Sequence, residues 1–257
     1  MKRIFVALVF FGLWIGLNSV PAAAQDNAAQ ESAAQKIEEG KKILAKLIDV
    51  MGGRDRLLKI EDTKATCNIN IIPVNMSGSL VLSEKKNKIR QDIQIMGMNI
   101  IQAYNGETGW MTDPQTGSIV DMPEPVLNEF KREGLGNDAL LEPEKHGITF
   151  TSEGRKNVEG KEYHLLKMTY KDGSESTMYI DPDTFLLYRT VGMTLNQTLQ
   201  KVEQETTLFD YRDVDGTKVP FSIKIKQGGM DYLDLTVTEV KYNSNIDDSI
   251  FDKPAGN

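Results

Sequence analysis

The sequence predicts a mainly β (α+β) protein: an antiparallel meander of about ten short strands, with one helix in front and one helical interruption. Three observations predict it. From Lys64 onward apolar and polar residues alternate at period two, turn signals rich in Gly, Asn and Asp separate these runs at short intervals, and only two segments show a helical period. Links this short join antiparallel neighbours, since a parallel crossover needs about a dozen residues or more.

In chain order, Lys2 and Arg3, the apolar run from Ile4 to Leu17 and the small residues Pro21, Ala22, Ala23 and Ala24 read as a secretory signal peptide cleaved after Ala24. The apolar run is shorter than the roughly 20 residues a spanning helix needs. No Cys follows the cleavage site, so the chain is not a lipoprotein precursor. The expected organisation is a signal peptide over residues 1–24, a flexible Ala/Gln-rich leader over 25–35 and a single domain over 36–257. Export leaves the bacterial periplasm or the outside as the place of the mature protein, with the periplasm expected, and no later segment is long and apolar enough to span a membrane.

The first helix follows from Ile37, Ile43, Leu44, Leu47, Ile48 and Met51, which fall on one stripe opposite Glu38, Glu39, Lys42, Lys46 and Asp49. Gly52 and Gly53 stop it, because glycine takes the left-handed cap conformation at low cost. A short second helical piece is expected over Arg54 to Ile60.

The strands come next. Cys67, Ile69 and Ile71 alternate with Asn68 and Asn70, Leu80 and Leu82 with Val81 and Ser83, and Ile89, Ile93 and Ile95 with Arg90, Asp92 and Gln94. Phe221, Ile223 and Ile225, then Leu233, Leu235 and Val237, repeat the pattern near the end. Turns are expected at Asn105-Gly106, Asp113-Pro114, Glu159-Gly160, Asp172-Gly173, Asp181-Pro182, Asp215-Gly216 and Gly228-Gly229. Between Met122 and His146 the rhythm breaks. Pro123 and Pro125 suit a helix start, Val126, Leu127 and Phe130 share one face, and Asn137 or Asp138 can cap a second turn carrying Leu140 and Leu141. Such an insertion must bury its apolar face, and the inner face of a curved sheet is the nearest surface; this is how a lid is built.

Composition narrows function. With 257 residues, 30 Lys+Arg against 37 Asp+Glu and a formal net charge of −7, the chain has no basic field for nucleic acid or anionic lipid surfaces. One Cys and two His exclude a zinc finger or ribbon, and no nucleotide, serine-hydrolase or metalloprotease motif occurs, so no catalytic residue, metal site or cofactor is assigned. Cys67, His146 and His164 read as structural. Asp210, Asp213 and Asp215 lack the spacing of a calcium loop and read as a turn. Methionine is more informative: every Met except Met1 lies beyond residue 24, and this unbranched, polarizable side chain suits core filling and adaptable apolar surfaces.

Several segments then resemble a known family. Gly78-Ser79-Leu80-Val81-Leu82, the hairpin from Ile100 to Pro114 containing Asn105-Gly106 and Trp110, the stretch Tyr179 to Leu187 and the stretch Phe209 to Pro220 are similar to strands of the LolA-like outer-membrane lipoprotein-sorting proteins and their wider superfamily. The resemblance implies a curved antiparallel sheet forming an unclosed β-barrel, with helices over its concave face and an apolar cavity for acyl chains. It also implies a lid held by an Arg shortly after the G-x-L strand; here that stretch reads Ser83-Glu84-Lys85-Lys86, and the Arg is absent.

The expectation is therefore a non-enzymatic periplasmic carrier that binds a lipid or lipoprotein acyl chain, with envelope proteins as further partners. The expected lining is Ile69, Ile71, Leu80, Leu82, Ile93, Ile95, Trp110, Val126, Leu127, Phe130, Leu140 and Leu141, each in an apolar role. Binding would draw on about 0.8 kcal/mol per buried methylene, with no charged anchor. The alternative is an envelope module that binds or senses a polypeptide on the same fold. A hydrolase with unpaired carboxylates is a weaker third reading.

Overall fold

The computed structural model describes residues 26–254 except 114 and 197, with side chains from residue 32. The expected signal peptide and its cleavage after Ala24 lie outside the described residues. The chain opens with α1 (Asp26–Val50) and the single turn α2 (Arg54–Leu57). A first meander follows: β1 (Asp62–Ile71), β2 (Met76–Lys85), β3 (Lys88–Ile95), β4 (Met98–Tyr104), β5 (Gly109–Thr112) and β6 (Ile119–Asp121). After the insertion α3 (Glu124–Glu133) and α4 (Asp138–Leu141) comes a second: β7 (Thr149–Val158), β8 (Lys161–Thr169), β9 (Glu175–Ile180), β10 (Leu187–Leu195), β11 (Lys201–Val214), β12 (Thr217–Gln227) and β13 (Met230–Tyr242).

All of these strands form one 13-stranded antiparallel sheet in the order β6-β5-β4-β3-β2-β1-β13-β12-β11-β10-β9-β8-β7. The first strand pairs with the last, from Thr63 opposite Tyr242 to Ile71 opposite Leu233, so this seam joins the two meanders. The sheet is curved and does not close; β6 and β7 are its free edges, and the helical insertion runs from one to the other. The sheet holds more strands than the alternation distinguishes, because β5 and β6 are too short to show a period.

Helix α1 starts at Asp26, earlier than expected, and takes in the segment read as a leader. Ala and Gln are strong helix formers, and a helical turn that buries no face shows no apolar stripe. Further on, Ile43, Leu44, Leu47 and Met51 are buried in the same core as Phe150, Leu166 and Met168 of β7 and β8. Gly40 permits that contact: a Cβ there would lie 2.6 Å from the carbonyl oxygen of Phe150. The helix ends as expected at Gly52 and Gly53, both at positive φ, with the Gly53 amide donating back to Ile48.

Beyond β13 the chain crosses the outer face of the first meander as a strap. Asp62 accepts from the Ser244 amide and hydroxyl and from the Ile246 amide, Lys85 donates to the Ile246 carbonyl, and Lys253 pairs with Asp121 on β6. Phe251, at the end of a short 3-10 turn, is wholly buried.

Candidate functional site

Residues directly opposite one another in an antiparallel ladder project to the same face, so the register sorts every strand residue onto one of two faces. Cys67 lies opposite Leu80 on one side and Val237 on the other, and Leu80 lies opposite Ile93, which meets Ile100. One step along, Ile69, Gly78, Ile95 and Met98 form a parallel row with Leu235, Ile223 and Leu208. The next row holds Met76, Ile71, Leu233, Ile225, Thr206, Thr190 and Met178. This is the helix-covered, concave face: α3 sits on it at Gly109, where a Cβ would approach Leu127 Cδ1 to 2.8 Å and Met122 Sδ to 2.6 Å.

The strands position the expected lining clearly. Ile69, Ile71, Leu80, Leu82, Ile93 and Ile95 all fall on the concave face; Ile69, Leu82 and Ile95 are buried, while Ile71, Leu80 and Ile93 are half-buried. Val126 and Phe130 are buried under α3, and Leu127 is half-buried beside Gly109. Leu140 and Leu141 go elsewhere: with Leu47, Met51 and Leu57 they line a narrow cleft between α1, α2 and α4, where Arg54 donates to the Leu141 carbonyl. Asn137, expected as a cap, makes no capping bond and lies beside this cleft.

Trp110 does not join the lining. It pairs with Ala103, which pairs with Arg90, and these residues belong to the outer face. Its indole N–H donates 2.9 Å to the Phe251 carbonyl, and the Arg90 guanidinium lies 5.7 Å from its ring centroid. Arg90 is fixed by a two-pronged pair with Asp92 and by donation to the Ile250 carbonyl. Trp110 is therefore the anchor of the C-terminal strap. An alternation pattern gives the two faces of a strand but not which one meets the helices, and β5 has only one apolar residue on each side.

Sequence reading missed part of the site. Met76, Met111 and Leu233 are half-buried on the concave face, and Met98 is exposed at its end. Met76, Met98 and Leu233 lie near one end of the sheet, where the β1–β2, β3–β4, β10–β11 and β12–β13 connections cluster, while Met111 lies deeper, in the row of Gln102, Gln91 and Leu82. The exposed residues Ile72, Val74, Met96, Leu199 and Met230 form the tips of those same connections. No Asp, Glu, Lys or Arg occurs from Ala65 to Ser83, from Ile93 to Gly106 or from Thr190 to Gln200, so these stretches of the rim are uncharged, while Lys226 and Asp231 pair beside the β12–β13 turn. Methionine was the available signal, because it accumulates at this rim.

The lid is held electrostatically on its other flank. Arg132 of α3 donates 2.8 Å to Asp172 in the β8–β9 turn, and Tyr170 is packed beneath its guanidinium. Burial works against the Asp172 carboxylate, but hydrogen bonds from Ser174 and the Arg132 charge hold its pKa below the usual range. Deeper in the core, desolvation pushes the Cys67 thiol up to about 12. His164 stacks on Phe185 with ring centroids 5.7 Å apart, and Asp213 accepts from the Gly216 amide as a turn residue does.

Comparison with solved structures supports this geometry. A LolA superfamily protein from Nitrosomonas europaea superposes with a TM-score of 0.56 at 12% identity, covering 83% of this chain and 97% of that one. The fold is LolA-like. An outer membrane lipoprotein-sorting protein domain from Vibrio parahaemolyticus (TM-score 0.55, 11% identity, 84% and 97% coverage) and a DUF1329 family protein from Desulfovibrio piger (0.57, 14%, 84% and 97%) share it. No family model matches the sequence, and no curated protein matches it. In this LolA-like chain no described helix is long and apolar enough to cross a membrane.

Proposed function

We propose that this protein is a periplasmic, non-enzymatic carrier that binds the acyl chain of a lipid or lipoprotein on its concave face. One observation carries the reading: aliphatic and methionine side chains form continuous rows over the concave face and become progressively exposed toward the end formed by the β1–β2 and β3–β4 turns, while a helical lid covers the rest. Such a surface rewards methylene burial. The LolA-like fold supports the same reading.

Ile71 and Leu127 test it, since both are half-buried and tolerate change better than Phe130. The expected result is saturable binding of a fluorescent acyl probe by the native chain, reduced at least about tenfold by Ile71→Asp or Leu127→Asp with circular dichroism unchanged. Equal binding by wild type and both variants rejects the reading.

A second reading, an envelope module that binds an extended polypeptide, is favoured by one feature. Edge strand β6 presents Ile119 and Val120 at 42% and 36% exposure beside unpaired backbone, the arrangement to which a partner strand adds.

A further inference from the structure

We infer that the groove selects amphiphiles whose head is uncharged, an acyl chain held through an ester, amide or hydroxyl, over free carboxylates and phosphate-bearing lipids. The inference rests on the acyl-binding reading above and adds the class of head group.

Between the sheet end formed by the β1–β2 and β3–β4 turns and the level of Ala65 and Leu82, the concave rows contain no Lys, Arg, His, Asp or Glu on strands β1 to β6, β9, β10, β12 and β13. On β11, Arg212 lies opposite Val219 with its guanidinium 4.4 Å from the Phe221 ring centroid, and its charge is paired with Asp210. The first charge met deeper on β2 is Glu84, and α3 adds Glu129; both are acidic and almost wholly buried. The cations that approach from the helices and their neighbours are engaged: Arg132 binds Asp172, and Lys46 lies 4.3 Å from the Phe185 ring centroid. A carboxylate or phosphate entering this groove would leave water without gaining a counter-charge.

The same face does offer neutral hydrogen-bonding groups, gathered on β9 to β12. Ser176, Gly192, Gln204 and Gln227 form one cross-strand row, and Thr190 and Thr206 belong to the next. Gln227 donates 3.1 Å to Gln204 Oε1, which orients the pair. Ser176 is 3% exposed, and its hydroxyl has no hydrogen-bond partner. Gly192, its cross-strand neighbour, contributes no side chain to the row between Ser176 and Gln204. A buried hydroxyl without a partner is rare in folded proteins and is satisfied here by an ester carbonyl, an amide or an alcohol arriving with a ligand. The apolar rows of β1 to β4 and this polar row on β9 to β12 then divide one ligand between tail and head.

The test is titration of the chain from Gln25 to Asn257 with 1-monooleoylglycerol and with oleate at pH 8, each below its micellar concentration. The expected result is at least about tenfold tighter binding of the glyceride. Ser176→Ala, and separately the half-buried Gln227→Leu, should shrink that ratio by weakening the glyceride while leaving oleate unchanged. Equal or tighter binding of oleate overturns the inference and leaves acyl binding intact, as does a ratio unaffected in both variants. Binding of neither amphiphile overturns the acyl-binding reading and this inference with it.

Discussion

Arg132 and Asp172 lie 40 positions apart in sequence, on opposite flanks of the gap between the two sheet edges, and their side chains meet at 2.8 Å. The resemblance to lipoprotein-sorting proteins implies a lid held by an Arg on the sheet. In this chain the cation is on the lid itself and the acid is on the sheet.

Breaking this pair is expected to loosen α3 without unfolding the sheet. Asp172→Asn should raise amide exchange across Glu124–Glu133 and speed ligand release several-fold, with little change in global unfolding, because Asp172 is half exposed to solvent. The pH dependence has a defined sign. The folded carboxyl titrates below its ordinary value of about 3.9, so the contribution is complete above about pH 5 and is lost as pH falls through the lowered folded value. A lid whose protection, taken relative to the base-catalysed intrinsic exchange rate, falls between pH 5 and 8 would contradict this.

Gly40 should not tolerate a methyl group. Gly40→Ala removes a poor helix former, which on its own favours α1 by up to about 1 kcal/mol. The added Cβ would collide with the Phe150 carbonyl at 2.6 Å, and backbone cannot rotate away as a side chain can. A net loss of about 1–3 kcal/mol is expected in urea unfolding; a gain would show that α1 does not press on β7.

Cys67 should be silent toward thiol reagents in the folded protein. It is 1% exposed, and with its pKa pushed up to about 12 only about one thiol in ten thousand is ionised at pH 8. Labelling by a disulfide reagent is expected only on unfolding. Because Cys67 lies on the concave face between Leu80 and Val237, faster labelling in Asp172→Asn would report that the lid opens onto this row.

The strap makes a separate prediction. Phe251→Ala should cost about 3–5 kcal/mol, because the side chain is wholly buried. It should also shift Trp110 emission to the red, since the Phe251 carbonyl holds the indole N–H. Addition of an acyl ligand should leave Trp110 emission almost unchanged, the residue being on the far face of the sheet.

Much of this architecture is legible in the chain. Period-two runs mark the strands, Gly52-Gly53 marks the end of α1, and Pro125 with Val126, Leu127 and Phe130 marks the lid helix. Those signals are local: each depends on neighbours a few positions away. What is not legible depends on pairing across long stretches of chain. That Trp110 faces outward follows from its register with Ala103 and Arg90 and from a strap more than a hundred residues later, and neither leaves a periodic trace. The polar row of Ser176, Gln204 and Gln227 is equally hidden, because in sequence its members are isolated polar residues among other polar residues, and only the sheet gathers them.

The pairing of β1 with β13 has a consequence for how the molecule is made. A ribosome delivers β1 early and β13 nearly last, so the central hydrogen-bonded ladder cannot form until synthesis is almost finished. Until then β1 is a bare edge at the end of an incomplete sheet, its Cys67, Ile69 and Ile71 facing water. Closing so long a loop is slow. The nascent chain thus passes through an interval in which it is itself an exposed apolar client, and a holdase that binds extended segments would be needed most at that stage.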